Sequence, residues 1–158
     1  MSRVGVVDIG RNEGERLEAC LQSVCRRGVP VVYVDSGSLD GSSELAQSWA
    51  ADVVELDRSE PFTAARARNA GFEKLMHSGD PPTAVQFLDG DCALVGGWLD
   101  DAVRILLARD ELALVCGVVL PGSNAASQEK APQHRAKVDV TYSSQQALGK
   151  GVTTATMT

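Results

Sequence analysis

The chain has 158 residues, 44% apolar and 23% charged, which allows a globular domain with a real core and excludes a fibrous or low-complexity chain. Net charge is −6, which argues against a nucleic-acid phosphate backbone as the main partner but not against a single nucleotide held through a metal. No apolar run is long enough to span a membrane and no signal-peptide pattern opens the chain, while Cys20, Cys25, Cys92 and Cys116 lack C-x-x-C or zinc spacing and read as reduced core thiols of a cytoplasmic protein.

Val4-Gly5-Val6-Val7-Asp8-Ile9 is a β-rich run that ends at Gly10 and predicts the first strand. Asn12 is the expected cap of the helix that follows, with Glu13 and Glu15 suited to its first turn. Leu17, Cys20, Leu21 and Val24 recur at helical spacing, Arg26 and Arg27 complement the last turn, and Gly28 stops the helix. Residues 31–34 predict a second strand, ending on Asp35. Ser36-Gly37-Ser38-Leu39-Asp40-Gly41 is a turn-rich loop. A second helix is expected from Ser42 or Ser43 to about Ala50, and a third short strand over residues 52–56. Strand–helix alternation at this spacing points to βαβ units and a mainly parallel sheet.

Residues 57–63 form a polar loop broken by Pro61. A third helix is expected over residues 64–77, packing through Ala67, Ala70, Gly71 and Leu75. The short apolar run ending in Asp89-Gly90-Asp91 is bounded by Pro81-Pro82 and Gly96-Gly97 and reads as a buried strand. A fourth helix is expected over residues 98–109, with Leu99, Val103 and Leu106 on one face. The continuous apolar run at 112–120 predicts a fifth strand. Residues 121–158 are rich in Ser, Thr, Ala, Gln and Gly and read as an atypical tail, with one edge strand over residues 138–142 and otherwise disorder.

Three predicted strands end in polar clusters: Arg11-Asn12-Glu13, Asp35-Ser36-Gly37 and Asp89-Gly90-Asp91. In a parallel sheet these ends share one edge, the edge where open α/β sheets bind ligands. Asp89 and Asp91 repel each other unless a cation lies between them, and hard oxygen donors favour Mg²⁺ or Mn²⁺, which also bridge phosphates. Gly90 removes a side chain, leaving room for phosphate or ribose at the backbone.

These motifs, in this order, resemble a family 2 glycosyltransferase with the GT-A fold, over roughly residues 3–120. The segment from Val6 through Asn12-Glu13 and on to Val24 is similar to the family's opening strand and helix. Val34-Asp35-Ser36-Gly37-Ser38-Leu39-Asp40-Gly41-Ser42 resembles its V-D-[DS]-G-S-T-D-G-[ST] signature, and Ala67-Arg68-Asn69-Ala70-Gly71 its A-R-N-x-G segment. Asp89-Gly90-Asp91 falls where its D-x-D motif falls, and Gly96-Gly97-Trp98-Leu99 resembles the P-x-W-L that follows. The resemblance implies a GT-A-like, Rossmann-like sheet flanked by helices, truncated after the fifth strand. It implies a donor domain over residues 1–120 whose partner is a nucleotide-sugar, a UDP-sugar first, and an acceptor that the sequence does not identify. Asp35 is then expected at the base, with Ile9, Arg11, Asn12, Glu13, Ser36 and Gly37 lining the same pocket. Arg68 is expected on the base or phosphate side, Asp89 and Gly90 near ribose, and Asp89 and Asp91 on Mn²⁺ or Mg²⁺. Ile9-Gly10-Arg11-Asn12 stands where the family has Pro-Thr-Tyr-Asn, and no acceptor half with a general base is recognisable after Pro121.

Two other readings compete. Asp89-Gly90-Asp91-Cys92-Ala93 resembles the D-x-D-x-[TV] start of haloacid dehalogenase-type phosphatases, with Ala93 where Thr or Val belongs. A nucleotide-binding or assembly module without transferase activity is the non-enzymatic reading. A sheet cut short also leaves an unpaired edge, which favours a homo-oligomer.

Overall fold

The computed structural model describes residues 4–117, 119 and 153–155. The elements alternate as expected through the fourth helix: β1 (Val4–Gly10), α1 (Glu15–Cys25), β2 (Val31–Asp35), α2 (Ser42–Ser48), β3 (Asp52–Glu55), α3 (Ala64–Met76), β4 (Ala84–Asp89) and α4 (Trp98–Leu107), with β5 at Thr153–Ala155. The sheet order is β3-β2-β1-β4-β5, and every pairing is parallel.

The period-two alternation of β1 splits the core in two. Val6 joins Tyr33, Leu88, Leu17, Leu21 and Trp98 on the face covered by α1, α2 and α4. Val7 and Ile9 face the other way, against Ala67 and Leu75 of α3. Gly71 explains how closely α3 approaches. A Cβ there would lie 2.4 Å from Val7 Cγ1 and 2.8 Å from Val34 Cγ2, so only hydrogen fits between helix and sheet.

The expected fifth strand is not found among the described residues. Within the described part of residues 112–120 there is a single bridge at Cys116 and no strand. Val115 is nonetheless fully buried, and Gly117 lies against the Trp98 ring. Apart from that bridge, the described part of the run is satisfied by packing on α4, and apolarity alone does not distinguish packing from strand pairing. The β4 edge pairs instead with Thr153–Ala155, inside the stretch expected to be mostly disordered. The edge strand expected over residues 138–142 lies outside the described residues. The four thiols are free, as expected, but only Cys20 is buried; the other three are half-buried.

Candidate active site

The register brings two of the three polar tips into line. Gly10 pairs with Asp35 on one side of β1, and Ile9 pairs with Asp89 on the other. Asp35 and Asp89 therefore flank the end of the central strand, two strand spacings or about 10 Å apart. They share the carboxyl edge of the sheet, and the Asp91 tip follows two residues beyond.

Backbone and side-chain bonds stitch the loops at that edge together. Ser36 N donates to Gly10 O at 3.0 Å, and Gly90 N to Ile9 O at 2.8 Å. Asn12 N donates to Ser38 Oγ at 2.9 Å, and Leu39 N donates to Asn12 Oδ1 at 2.8 Å. Asn12 thus does not cap α1 as expected. It takes a left-handed φ of 56°, which asparagine tolerates, and ties the β1 loop to the β2 loop. The N-cap of α1 is Gly14, whose N–H donates to Asp40 Oδ2 at 3.1 Å. Asp40 also accepts from the Ser42 hydroxyl at 2.6 Å, so one carboxylate joins the entries of α1 and α2.

Asp35 is 3% exposed. Its Oδ2 accepts from Gly37 N at 2.9 Å and Ser38 N at 2.8 Å, the turn that the positive φ of Gly37 permits. Its Oδ1 is buried and has no hydrogen-bond partner. Beside it a cleft of about 190 Å³ is lined by Gly37, Ser38, Glu55, Leu56 and Arg58. Arg68, half-buried on α3, donates to Asp89 Oδ1 at 2.8 Å. Arg66, two residues earlier, donates to the carbonyls of Asp57, Glu60 and Pro61 and so clips residues 57–63 against α3. Asp91 is exposed, with the Cys92 thiol donating to it at 3.4 Å. Burial, that bond and the nearby Asp91 charge push the Cys92 thiol up to about 11.

Several expected site residues act differently from the expectation. Ile9 buries its side chain in the α3-side core and offers only backbone to the edge. Glu13 pairs with Arg16 at 2.8 Å, and its Cγ fills the space beside both Gly10 and Gly90. The room expected at Gly90 for a ligand is therefore occupied. A Cβ there would lie 3.1 Å from Glu13 Cγ and 3.4 Å from Ile9 O. The Gly97-Trp98-Leu99 segment serves the fold. Trp98 Nε1 donates to buried Gln86 Oε1 at 2.8 Å, which locks α4 onto β4 and holds the Asp89 tip.

The sequence pattern did not single out Asp8. It is fully buried on β1, under the crevice, facing Cys20, whose thiol donates to its Oδ2 at 3.3 Å. Burial pushes its carboxyl up to about 8, and the charges of Asp89, Glu13 and Asp91 push the same way, against the Cys20 bond. A signal for it exists in the residues: a single acid inside an apolar run that must be buried on both faces of a parallel sheet.

The family model described as glycosyl transferase family 2 matches residues 9–156. The chain belongs to that family. The match runs past residue 120, where the motif resemblance stops. The chain is similar to the glycosyltransferase AglE of Haloferax volcanii, with 38% identity over 121 residues, covering 72% of this chain and 36% of that protein. Its fold resembles the crystal structure of S. aureus TarS 1-349, with a TM-score of 0.60 and 19% identity over 84% of this chain and 39% of the other. A second S. aureus TarS structure matches with a TM-score of 0.58, 84% of this chain covering 23% of it. The chain thus spans about a third of the curated relative it matches. Membership removes the phosphatase reading, whose catalytic strand would open the domain rather than follow three βα units. A GT-A-like fold is what the order β3-β2-β1-β4-β5 and the helices on both faces build. No helix among the described residues is long and apolar enough to cross a membrane.

Proposed function

We propose that this family 2 glycosyltransferase domain binds a nucleoside-diphosphate sugar at the carboxyl edge of its sheet, with a UDP-sugar as the donor. The observation that carries this is the buried, unpartnered Asp35 Oδ1. An acceptor oxygen left without a partner in a buried setting costs roughly 1–3 kcal/mol, which a ligand N–H recovers. Uracil offers such a group at its ring N3–H, and the cleft beside Asp35 is where the base would enter.

Asp89 and Asp91 fit a divalent cation. Among the described residues no three or more His, Cys, Asp or Glu side chains form a metal cluster of their own. Mg²⁺ and Mn²⁺, however, need only one or two carboxylates when diphosphate oxygens and water complete the shell. Asp89 would offer its second oxygen, the first being held by Arg68, and exposed Asp91 would offer Oδ2, its Oδ1 accepting from the Cys92 thiol. The cation, when bound, supplies Lewis acidity to the departing diphosphate. The chain's own residues do the rest. Asp35 orients the base, Arg68 fixes the rotamer of Asp89, and the Asn12–Ser38–Leu39 bonds hold the two loops that frame the nucleotide.

A second reading is donor binding without transfer, by a nucleotide-binding module. Titration calorimetry with UDP and MnCl₂, beside a hydrolysis assay with UDP-sugars, separates the two. Binding with turnover supports the transferase, and binding alone supports the module. No binding of any nucleoside diphosphate rejects both.

A further inference from the structure

The crevice carries a charge problem that its paired arginines do not solve. Asp35, Asp89 and Asp91 line the edge, and a diphosphate would add more negative charge. Arg68 is committed to Asp89, Arg16 to Glu13, and Arg66 to three carbonyls and Glu60. Arg11 is different. It is exposed at the end of β1, its guanidinium carbon lies 5.4 Å from the centroid of the Phe62 ring, and its N–H groups make no hydrogen bond or ion pair among the described residues.

Phe62 is itself held on three sides. It packs into the α3-side core, and it sits on the backbone of Gly37, where a Cβ would lie 2.9 Å from its Cζ. Its loop is fastened by Arg66, and Thr63 caps α3 by accepting from Arg66 N at 3.1 Å. The ring thus joins the β1 loop to the Asp35 turn. An arginine anchored through its face keeps its edge donors free, and that planar fork matches phosphate oxygens. Resting on the donor-site reading above, we propose that Arg11 binds the diphosphate of the nucleotide and that Phe62 is the positioning residue that presents it. The geometry of a face-anchored guanidinium beside an acidic crevice is what distinguishes this from an ordinary surface arginine.

The test uses the full chain, with UDP or uridine as probe in MnCl₂, titrated calorimetrically. Arg11→Gln should weaken UDP about tenfold, the lower end for a hydrogen bond to a charged group, and leave uridine unchanged. Phe62→Leu should weaken UDP about two- to fivefold, the range of an exposed cation–π contact, and Phe62→Tyr, which keeps the ring face, should restore it. In the Arg11→Gln background Phe62→Leu should cost nothing further, because both changes remove one interaction. Equal loss of uridine and UDP in Arg11→Gln would mean base stacking and overturn the phosphate role. Parent-like UDP binding by Arg11→Gln, or additive losses in the double variant, would also overturn it. Arg11 is exposed, so its variants test the idea even if Phe62→Leu fails to fold. A parent protein that binds no nucleoside diphosphate rejects the donor-site reading, and this inference with it, whereas a parent that binds beside an equally competent Arg11→Gln rejects this inference alone.

Discussion

Arg68 on α3 and Asp89 at the tip of β4 meet at 2.8 Å, twenty-one residues apart in sequence, and close one side of the crevice. Both side chains keep partial solvent contact, 28% and 42%, so the pair adds little to folding. Arg68→Met is expected to change stability by about 1 kcal/mol or less. It should nevertheless weaken UDP–Mn²⁺ binding at least several-fold, because Asp89 loses the partner that fixes its rotamer. Urea melts and calorimetry on the same sample check both halves.

Gly71→Ala tests the packing of α3. In an exposed helix this change would stabilise by about 1 kcal/mol. Here the new methyl would collide with Val7 and Val34. Overpacking of this kind costs about 1–3 kcal/mol, so the sign reverses. A lowered urea midpoint with an unchanged slope is the expected result, and a raised midpoint would show that the helix can lift freely.

Asp8 sets a pH dependence of stability. Its folded carboxyl sits near 8 against its usual 3.8, so the native state binds the proton more tightly than the unfolded chain. The stability it contributes is fully present below about pH 4 and is lost as pH rises through about 8. At 1.36 kcal/mol per pH unit the loss reaches at most ~6 kcal/mol. Asp8→Asn keeps an oxygen for the Cys20 thiol and carries no charge. Its thermal midpoint should therefore fall less than that of the parent between pH 5 and pH 9. Parallel curves for the two proteins would remove Asp8 as the cause.

Asp91→Asn should leave the fold intact, because the residue is exposed beyond the end of β4. It should weaken UDP binding in MnCl₂ by about tenfold or more, as expected for loss of a charged ligand contact. The same variant should differ little from the parent in EDTA. Equal affinity of variant and parent for UDP–Mn²⁺ would remove Asp91 from the metal site.

Strand–helix alternation, the apolar stripe of α1 and the acids at strand ends are local patterns, and they were legible in the residues alone because side-chain period and turn chemistry act within a few positions. The same holds for the family, whose motifs lie in short segments in a fixed order. What the tertiary structure alone decided depends on which segments meet. Asn12 bonds across to Leu39 rather than capping its own helix, because the β2 loop lies alongside it. Glu13 fills the space at Gly90 because β1 and β4 are neighbours. The run after Leu112 packs on Trp98 while Thr153–Ala155 takes the edge of β4, a choice between two distant segments that apolarity does not encode. Asp8 is costly only because Cys20 and the sheet enclose it, and Arg11 is poised only because Phe62, fifty-one residues later, returns beneath it. Contact between remote residues is set by sheet order and register, and those follow from the packing of the whole core rather than from any single stretch of it.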